Sequence, residues 1–158
     1  MEKTHNYSTT INWKGNTGFG TKSYTSYDRS FEVLAEHKVP IQGSADPLFR
    51  GDHSKFNPEE LLLASLSSCH MLWYLHLCAE NNIQVLSYQD DANGVMQEFL
   101  NGSGKFIEVT LKPSIIVLNE SMIENAIQLH QKAHELCFIA NSVNFTVKCT
   151  PTVQCVNQ

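Results

Sequence analysis

"NPEELLLASLSSCHMLWYLHLCAE" (residues 57–80) opens with three helix-start signals. Asn57 can cap, Pro58 suits the first helical position, and Glu60 stands three residues after the cap, where its carboxylate can return to the cap backbone. Apolar residues then occupy nearly every side, which predicts a helix buried on most faces. Residues 61–79 form a run of 19 without charge, close to the length that spans a bilayer. Ser65, Ser67, Ser68, His70 and His76 interrupt it, and the remaining chain is globular in composition. A buried central helix is therefore expected, with no membrane span. "AENNI" (79–83) closes it.

Working outward, "YSTTINW" (7–13) alternates, with Tyr7, Thr9, Ile11 and Trp13 on one face of a strand. "KGNTGFG" (14–20) reads as a hairpin turn, because its glycines fit no phosphate-loop spacing. "KSYTSY" and "SFEVLA" continue as strands. "GSADPLFRGDHSKF" (43–56) is a long polar loop, a length often reserved for function. Beyond the helix, "VLSYQDD", "VMQEFL" and "KFIEVTLKPSIIVL" read as strands, the last two joined by an "NGSG" turn (101–104). Ser121 with Glu124 forms a second capping box, followed by Met122, Ala126, Leu129, Ala133 and Leu136 at helical spacing. "VNFTVKCTPTVQCV" (143–156) reads as one strand. The order predicts an α+β fold with a mainly antiparallel sheet and two central helices, as one domain over residues 1–158.

Composition bounds the function. The chain is 42% apolar and 17% charged, with net charge −5, which suits a folded domain with a sizeable core. Arg29 and Arg50 are the only arginines and the lysines are scattered. No basic face is available for nucleic acid. The N-terminal "MEKTHNYSTT" lacks the apolar core of a signal peptide, and the five cysteines are an odd count. Reduced thiols and a cytoplasmic location are expected.

A reduced cysteine is core filler, a metal ligand or a reactive group. Cys69 lies twelve residues after the cap, so the helix dipole does little for it and a nearby cation would be needed to lower its pKa. Cys137 ends the second helix. Two helices in one core could bring both thiols together, which allows attack by one and resolution by the other. Cys78, Cys149 and Cys155 read as structural. His130, His134 and Cys137 share a helix face, and with Cys69 or His70 they make a candidate zinc or copper set. The competing reading leaves His130 at a helix edge and His134 bonded within the core. His70 sits about 100° round the helix from Cys69 and is expected to bond elsewhere.

"NPEELLLASLSSC" resembles the signature of the OsmC/Ohr family of osmotically inducible and organic-hydroperoxide-resistance proteins, and "AHELCFIANSVNFTV" resembles its second cysteine segment. The resemblance implies an OsmC-like fold and a thiol peroxidase without organic or metal cofactor. It makes Cys69 the attacking thiol and Cys137 the resolving one, with a dithiol, commonly lipoyl, as reductant. Glu59 matches the family's glutamate, which holds an arginine beside the thiolate. Arg29 is the preferred arginine and Arg50 the alternative. Neither stands in the glycine-rich setting of the hydroperoxide-resistance branch, which with Cys69-His70 and the "SADPLFRGD" loop marks a separate subgroup.

In a straight helix Glu59 lies about 15 Å along the axis from Cys69. Either the helix bends or Glu59 and Arg29 act on another chain, so a homodimer with interfacial sites is expected; members of the family are intertwined dimers. Phe138, Trp73 or Tyr74 are candidates to line an apolar pocket for an organic peroxide. The rivals are a metal-binding protein using Cys69, Cys137, His134 and His130, a non-catalytic stress protein of the same fold, and a cysteine hydrolase using Cys69 and a histidine.

Overall fold

The computed structural model describes residues 2–156. It divides into two compact units, residues 1–61 and 62–158, joined through an unbroken helix α1, Pro58–Glu80.

In the first unit, β1 (Thr10–Trp13), β2 (Phe31–Leu34) and β3 (Ile41–Gly43) form an antiparallel sheet in sequence order. The β1–β2 connection continues pairing to a bridge between Asn16 and Tyr27. Gly15 is required there, since a Cβ would fall 1.7 Å from the Asp28 carbonyl oxygen. "KSYTSY" is turn rather than strand: Ser26 Oγ accepts from Ser23 N and donates to Gly20 O, curling the segment on itself. β1 likewise begins only at Thr10. The 43–56 loop is tied at its ends by Ser44 N donating to Phe56 O, and Asp46 caps a short 3₁₀ turn at Pro47–Phe49.

The capping box of α1 is formed as expected. Asn57 Oδ1 accepts from Glu60 N at 2.7 Å, and Glu60 Oε2 accepts from Asn57 N at 3.0 Å. Asn82 closes the helix in the left-handed region (φ 56°), with Ile83 N donating to Cys78 O and Asn82 N to Ala79 O, a Schellman end. Burial departs from expectation. Within the chain α1 buries one stripe, Leu66, His70, Tyr74, Leu77 and Cys78, while Leu72 is exposed and Trp73 half-exposed.

In the second unit β4 (Val85–Asp90) and β5 (Asn93–Glu98) pair antiparallel with β7 (Pro113–Val117) and β6 (Gly104–Leu111) respectively. The "NGSG" turn is present, with Gly102 at φ 81°. The last segment is two strands, β8 (Thr146–Cys149) and β9 (Thr152–Cys155), and both pair parallel, β8 with β6 and β9 with β7. The sheets are therefore mixed. Leu111 faces Cys149 and Ser114 faces Thr152, so the register is unchanged across the gap and Pro113 falls opposite Pro151. Neither proline can donate to a ladder, and the pairing breaks there.

Helix α2, Ile123–Leu136, provides the crossover that parallel pairing requires. The Ser121–Glu124 capping box does not form. A 3₁₀ turn at Glu120–Met122 runs directly into α2, and no side chain caps its start. Two apolar clusters hold this unit. Tyr74, Leu77, Cys78, Ile83, Ile115, Val117, Ala126 and Ala133 join the C-terminal half of α1 to β7 and α2. Leu66, Val109 and Leu111 join its earlier part to β6.

Candidate functional site

Two groups of thiol and imidazole side chains occur in the second unit, one residue apart on α1. The first pairs Cys69 with Cys137. Cys69 is half-buried and Cys137 is buried, and both are free thiols. Cys137 stands where α2 gives way to extended backbone (φ −68°, ψ 108°). The exit is fixed by Asn141, whose side chain donates to Glu135 O at 2.9 Å and whose backbone N donates to Cys137 O at 3.0 Å. Cys137 Sγ accepts from Ala140 N at 3.4 Å and has the Cys69 thiol beside it, without a well-formed bond between the two sulfurs. Burial above all pushes the Cys137 thiol up to about 11; the Ala140 N–H draws it back, and the Cys69 contact raises it again. Cys137 thus remains a proton-bearing thiol beside a more accessible sulfur. That arrangement suits formation of a disulfide once Cys69 is oxidised.

Beside this pair Trp73 meets Phe138 edge-on, ring centroids 5.6 Å apart, and Leu72, Trp73 and His76 line an open depression of about 330 Å³. Tyr74 does not join them. It is fully buried and stacks on His130, with centroids 3.9 Å apart and an interplanar angle of 13°.

The second group lies inward. His70 Nε2 and His130 Nδ1 are 3.0 Å apart, and Cys149 Sγ is 3.6 Å from the first and 3.9 Å from the second. His70 comes from α1, His130 from α2 and Cys149 from the end of β8, at the proline break. Burial pulls His70 down to about 4 and His130 to about 3; Asp90 opposes the effect on His70. Burial first, and then Asp90, pushes Cys149 up to about 12. Asp90 is anchored by Ser67 Oγ at 2.5 Å and by Lys112 N at 2.6 Å, both donating to it. His70 Nδ1 and His130 Nε2 have no hydrogen-bond partner among the described residues.

The expected metal set is therefore not assembled. Among the described residues, one group of three or more ligand atoms converges, all within 4.8 Å, and it is His70, His130 and Cys149. It takes His130, and His70 as the alternative fourth ligand, from the expected set but not Cys69, Cys137 or His134. His130 is in the core rather than at a helix edge, and His134 is only half-buried. Cys149, read as structural, is the member that sequence reasoning missed. A signal existed for the histidines: His70 shares the Leu66–Tyr74 stripe, and His130 lies between Ala126 and Ala133.

In the first unit Arg29 is half-buried, and its guanidinium donates to Tyr27 O at 2.6 Å and Tyr24 O at 2.7 Å. It also lies over the rings of Tyr24 and Tyr27, 4.4 and 4.1 Å from their respective centroids. Glu59, half-buried in the first turn of α1, makes no ion pair with it. Arg50 is exposed and takes a left-handed backbone (φ 66°).

Comparison with known proteins agrees with this architecture. An OsmC-like protein of unknown function from Vibrio cholerae superposes with a TM-score of 0.82 at 29% identity, over 94% of this chain and 100% of that one. Organic hydroperoxide resistance proteins from Elizabethkingia anophelis (TM-score 0.70, 20% identity, 99% and 100% covered) and Legionella pneumophila (0.68, 18%, 96% and 98%) share the fold. No curated protein matches the chain significantly. The family model for OsmC-like protein matches residues 51–152, from the approach to α1 through both cysteine-bearing helices into β9, and on that match the chain belongs to the OsmC-like family.

Proposed function

We propose that the protein is a thiol-dependent peroxidase that reduces organic hydroperoxides. The observation that carries the reading is the juxtaposition of Cys69 and Cys137, one sulfur half-exposed and the other buried and protonated. The Cys69 thiolate attacks the terminal peroxide oxygen, the O–O bond breaks, and alcohol leaves after taking a proton. Sulfenic acid remains on Cys69. Cys137 condenses with it, releasing water and forming a disulfide, which an external dithiol of the lipoyl class reduces by exchange. The exposed Leu72 and Phe138 with Trp73 favour an organic peroxide, and hydrogen peroxide is the smaller alternative. We place the activity in the cytoplasm and assign residues 1–158 to one functional domain.

Arg29 and Glu59 are proposed to act on Cys69 of the partner subunit in a homodimer. The helix is unbroken from Pro58 to Glu80, which keeps Glu59 about 15 Å along the axis from Cys69 of its own chain. Apolar side chains left uncovered on α1, Leu72 foremost, are the surface that a second copy would cover.

Dithiol-dependent consumption of cumene hydroperoxide tests the reading. Wild type should turn over; Cys69→Ser should not. Cys137→Ser should consume one equivalent and accumulate a sulfenic acid that dimedone traps. Full turnover in Cys69→Ser would end the proposal. A covalently linked dimer with Cys69→Ser in one chain and Glu59→Ala in the other tests the interface. Sites that use Glu59 across the interface leave half the activity, whereas chain-local sites leave none.

A further inference from the structure

We infer that His70 Nε2, His130 Nδ1 and Cys149 Sγ form a binding site for a divalent transition ion of the zinc class. The inference is independent of the peroxidase reading, because it uses neither Cys69 nor Cys137.

Geometry supports it first. Zinc bonds of 2.0–2.1 Å to imidazole nitrogen and 2.3 Å to thiolate give tetrahedral edges of about 3.3 Å between nitrogens and about 3.6 Å between nitrogen and sulfur. The observed separations are 3.0, 3.6 and 3.9 Å. Without metal the two rings lie nearly parallel, at 9° with centroids 5.3 Å apart, so their facing nitrogens share a proton in line. On metal binding the shared proton would move to the outer nitrogen of the same ring and the Cys149 thiol would release its proton to solvent; the nitrogen pair would open by a few tenths of an ångström and both rings would turn toward Cys149.

The chemistry supports it next. The two histidines are buried and neutral, the form that ligates. Two neutral imidazoles carry two N–H groups, and the contact between them uses one. Whichever tautomer is present, an N–H is left inside the protein without an acceptor among the described residues. Leaving such a group unpaired is a net cost to folding, so the trio is not explained by stability. Charge also closes: a dication, one thiolate and the neighbouring Asp90 carboxylate sum to zero, and Asp90 acts electrostatically on both His70 and Cys149. The three ligands come from α1, α2 and β8, so an ion would tie both helices to the sheet at its proline break. Among the described residues the outer nitrogens lack acceptors that would orient the rings, which places affinity below that of a fully supported site.

The test is anaerobic Co²⁺ titration of reduced, chelator-treated protein in three forms: wild type, Cys149→Ser, and Cys69→Ser/Cys137→Ser. Wild type and the double variant should each bind one ion per chain with a thiolate-to-cobalt charge-transfer band. Cys149→Ser should lose the band and bind at least tenfold more weakly, with an unchanged circular dichroism spectrum. Zinc-edge X-ray absorption of zinc-loaded wild type covers the case in which Cys149→Ser does not fold; two imidazoles and one sulfur are expected. Absence of binding to folded wild type, a band that survives in Cys149→Ser, or two sulfurs on the zinc would overturn the site.

Discussion

Cys69 and His70 are adjacent in sequence yet belong to different environments. Cys69 is half-exposed, stands beside one buried thiol and lies near the exposed Leu72 and Phe138. His70 is 1% exposed and meets a second imidazole, with Cys149 alongside. The turn of about 100° between neighbouring helical residues separates them. α2 repeats the division: His130 points into the core, and Cys137, at the helix end, meets Cys69. One pair of helices thus carries a partly exposed pair of thiols at its rim and a buried pair of imidazoles with a third thiol inside. Changes at the rim should alter chemistry with little effect on stability, and changes inside should do the reverse.

The largest effect is expected at the rim. Cys69→Ser should reduce peroxide turnover by at least about 10³-fold, about 4 kcal/mol of barrier. The thermal midpoint should move by no more than about 2 °C, because a near-isosteric change at a half-exposed position removes little packing. A large fall in midpoint would mean that Cys69 belongs to the core after all. Inside, Asp90→Ala should cost about 2–3 kcal/mol. It removes the charged acceptor for Ser67 Oγ and Lys112 N, whose bonds of 2.5 and 2.6 Å span α1 and the strand break. In thermal melts that is a fall of about 5–10 °C. The rate at which iodoacetamide labels Cys69 should not change. A parallel loss of Cys69 reactivity would show that rim and interior are coupled.

Cysteine labelling divides the rim itself. At pH 8 the Cys137 thiol, pushed up to about 11 chiefly by burial, carries about 100-fold less thiolate than an ordinary cysteine. Peptide mass spectrometry after brief alkylation should find Cys69 modified and Cys137 unmodified. As pH rises toward 11 the contrast should shrink. Equal labelling at pH 8 would remove the asymmetry on which the attacking and resolving roles depend.

Much of this division was legible in sequence, and the part that was not has a physical cause. The α1 start was readable because capping is local: Asn57 and Glu60 are three residues apart and bond only to each other. That Cys69 and Cys137 stand near each other was readable because both positions fall within extended family motifs. The parallel pairing of β8 and β9 was not readable. Whether a strand returns beside β6 and β7 in parallel depends on how α2 crosses the sheet, and no local pattern near Thr146 records it. Cys149 was missed for the same reason, since it reaches His70 and His130 only through that pairing. The Ser121–Glu124 box had the right spacing but lost to a 3₁₀ turn that carries the chain into α2 without a side-chain cap. All-round apolarity in α1 suggested burial on most faces; within one chain a single stripe is buried, because the sheet and α2 cover only that side.

The smallest effect sharpens the interior. Tyr74 is fully buried and stacked on His130. Its hydroxyl has no nitrogen or oxygen partner among the described residues and faces the Cys78 thiol without a well-formed bond. Burial raises its pKa, so it remains a neutral phenol. Tyr74→Phe keeps the ring on His130 and removes a polar group that gains little from its surroundings. An unsatisfied hydroxyl is a liability of about 1–3 kcal/mol, whereas a satisfied one contributes about 1 kcal/mol. The substitution should therefore be neutral or stabilising, by up to about 1 kcal/mol, seen in urea as a constant or raised midpoint at unchanged slope. A loss above about 2 kcal/mol would show that the hydroxyl has a real partner. The imidazole pair would then be one end of a connected polar network, and the interior would resemble the rim in being held together by specific bonds.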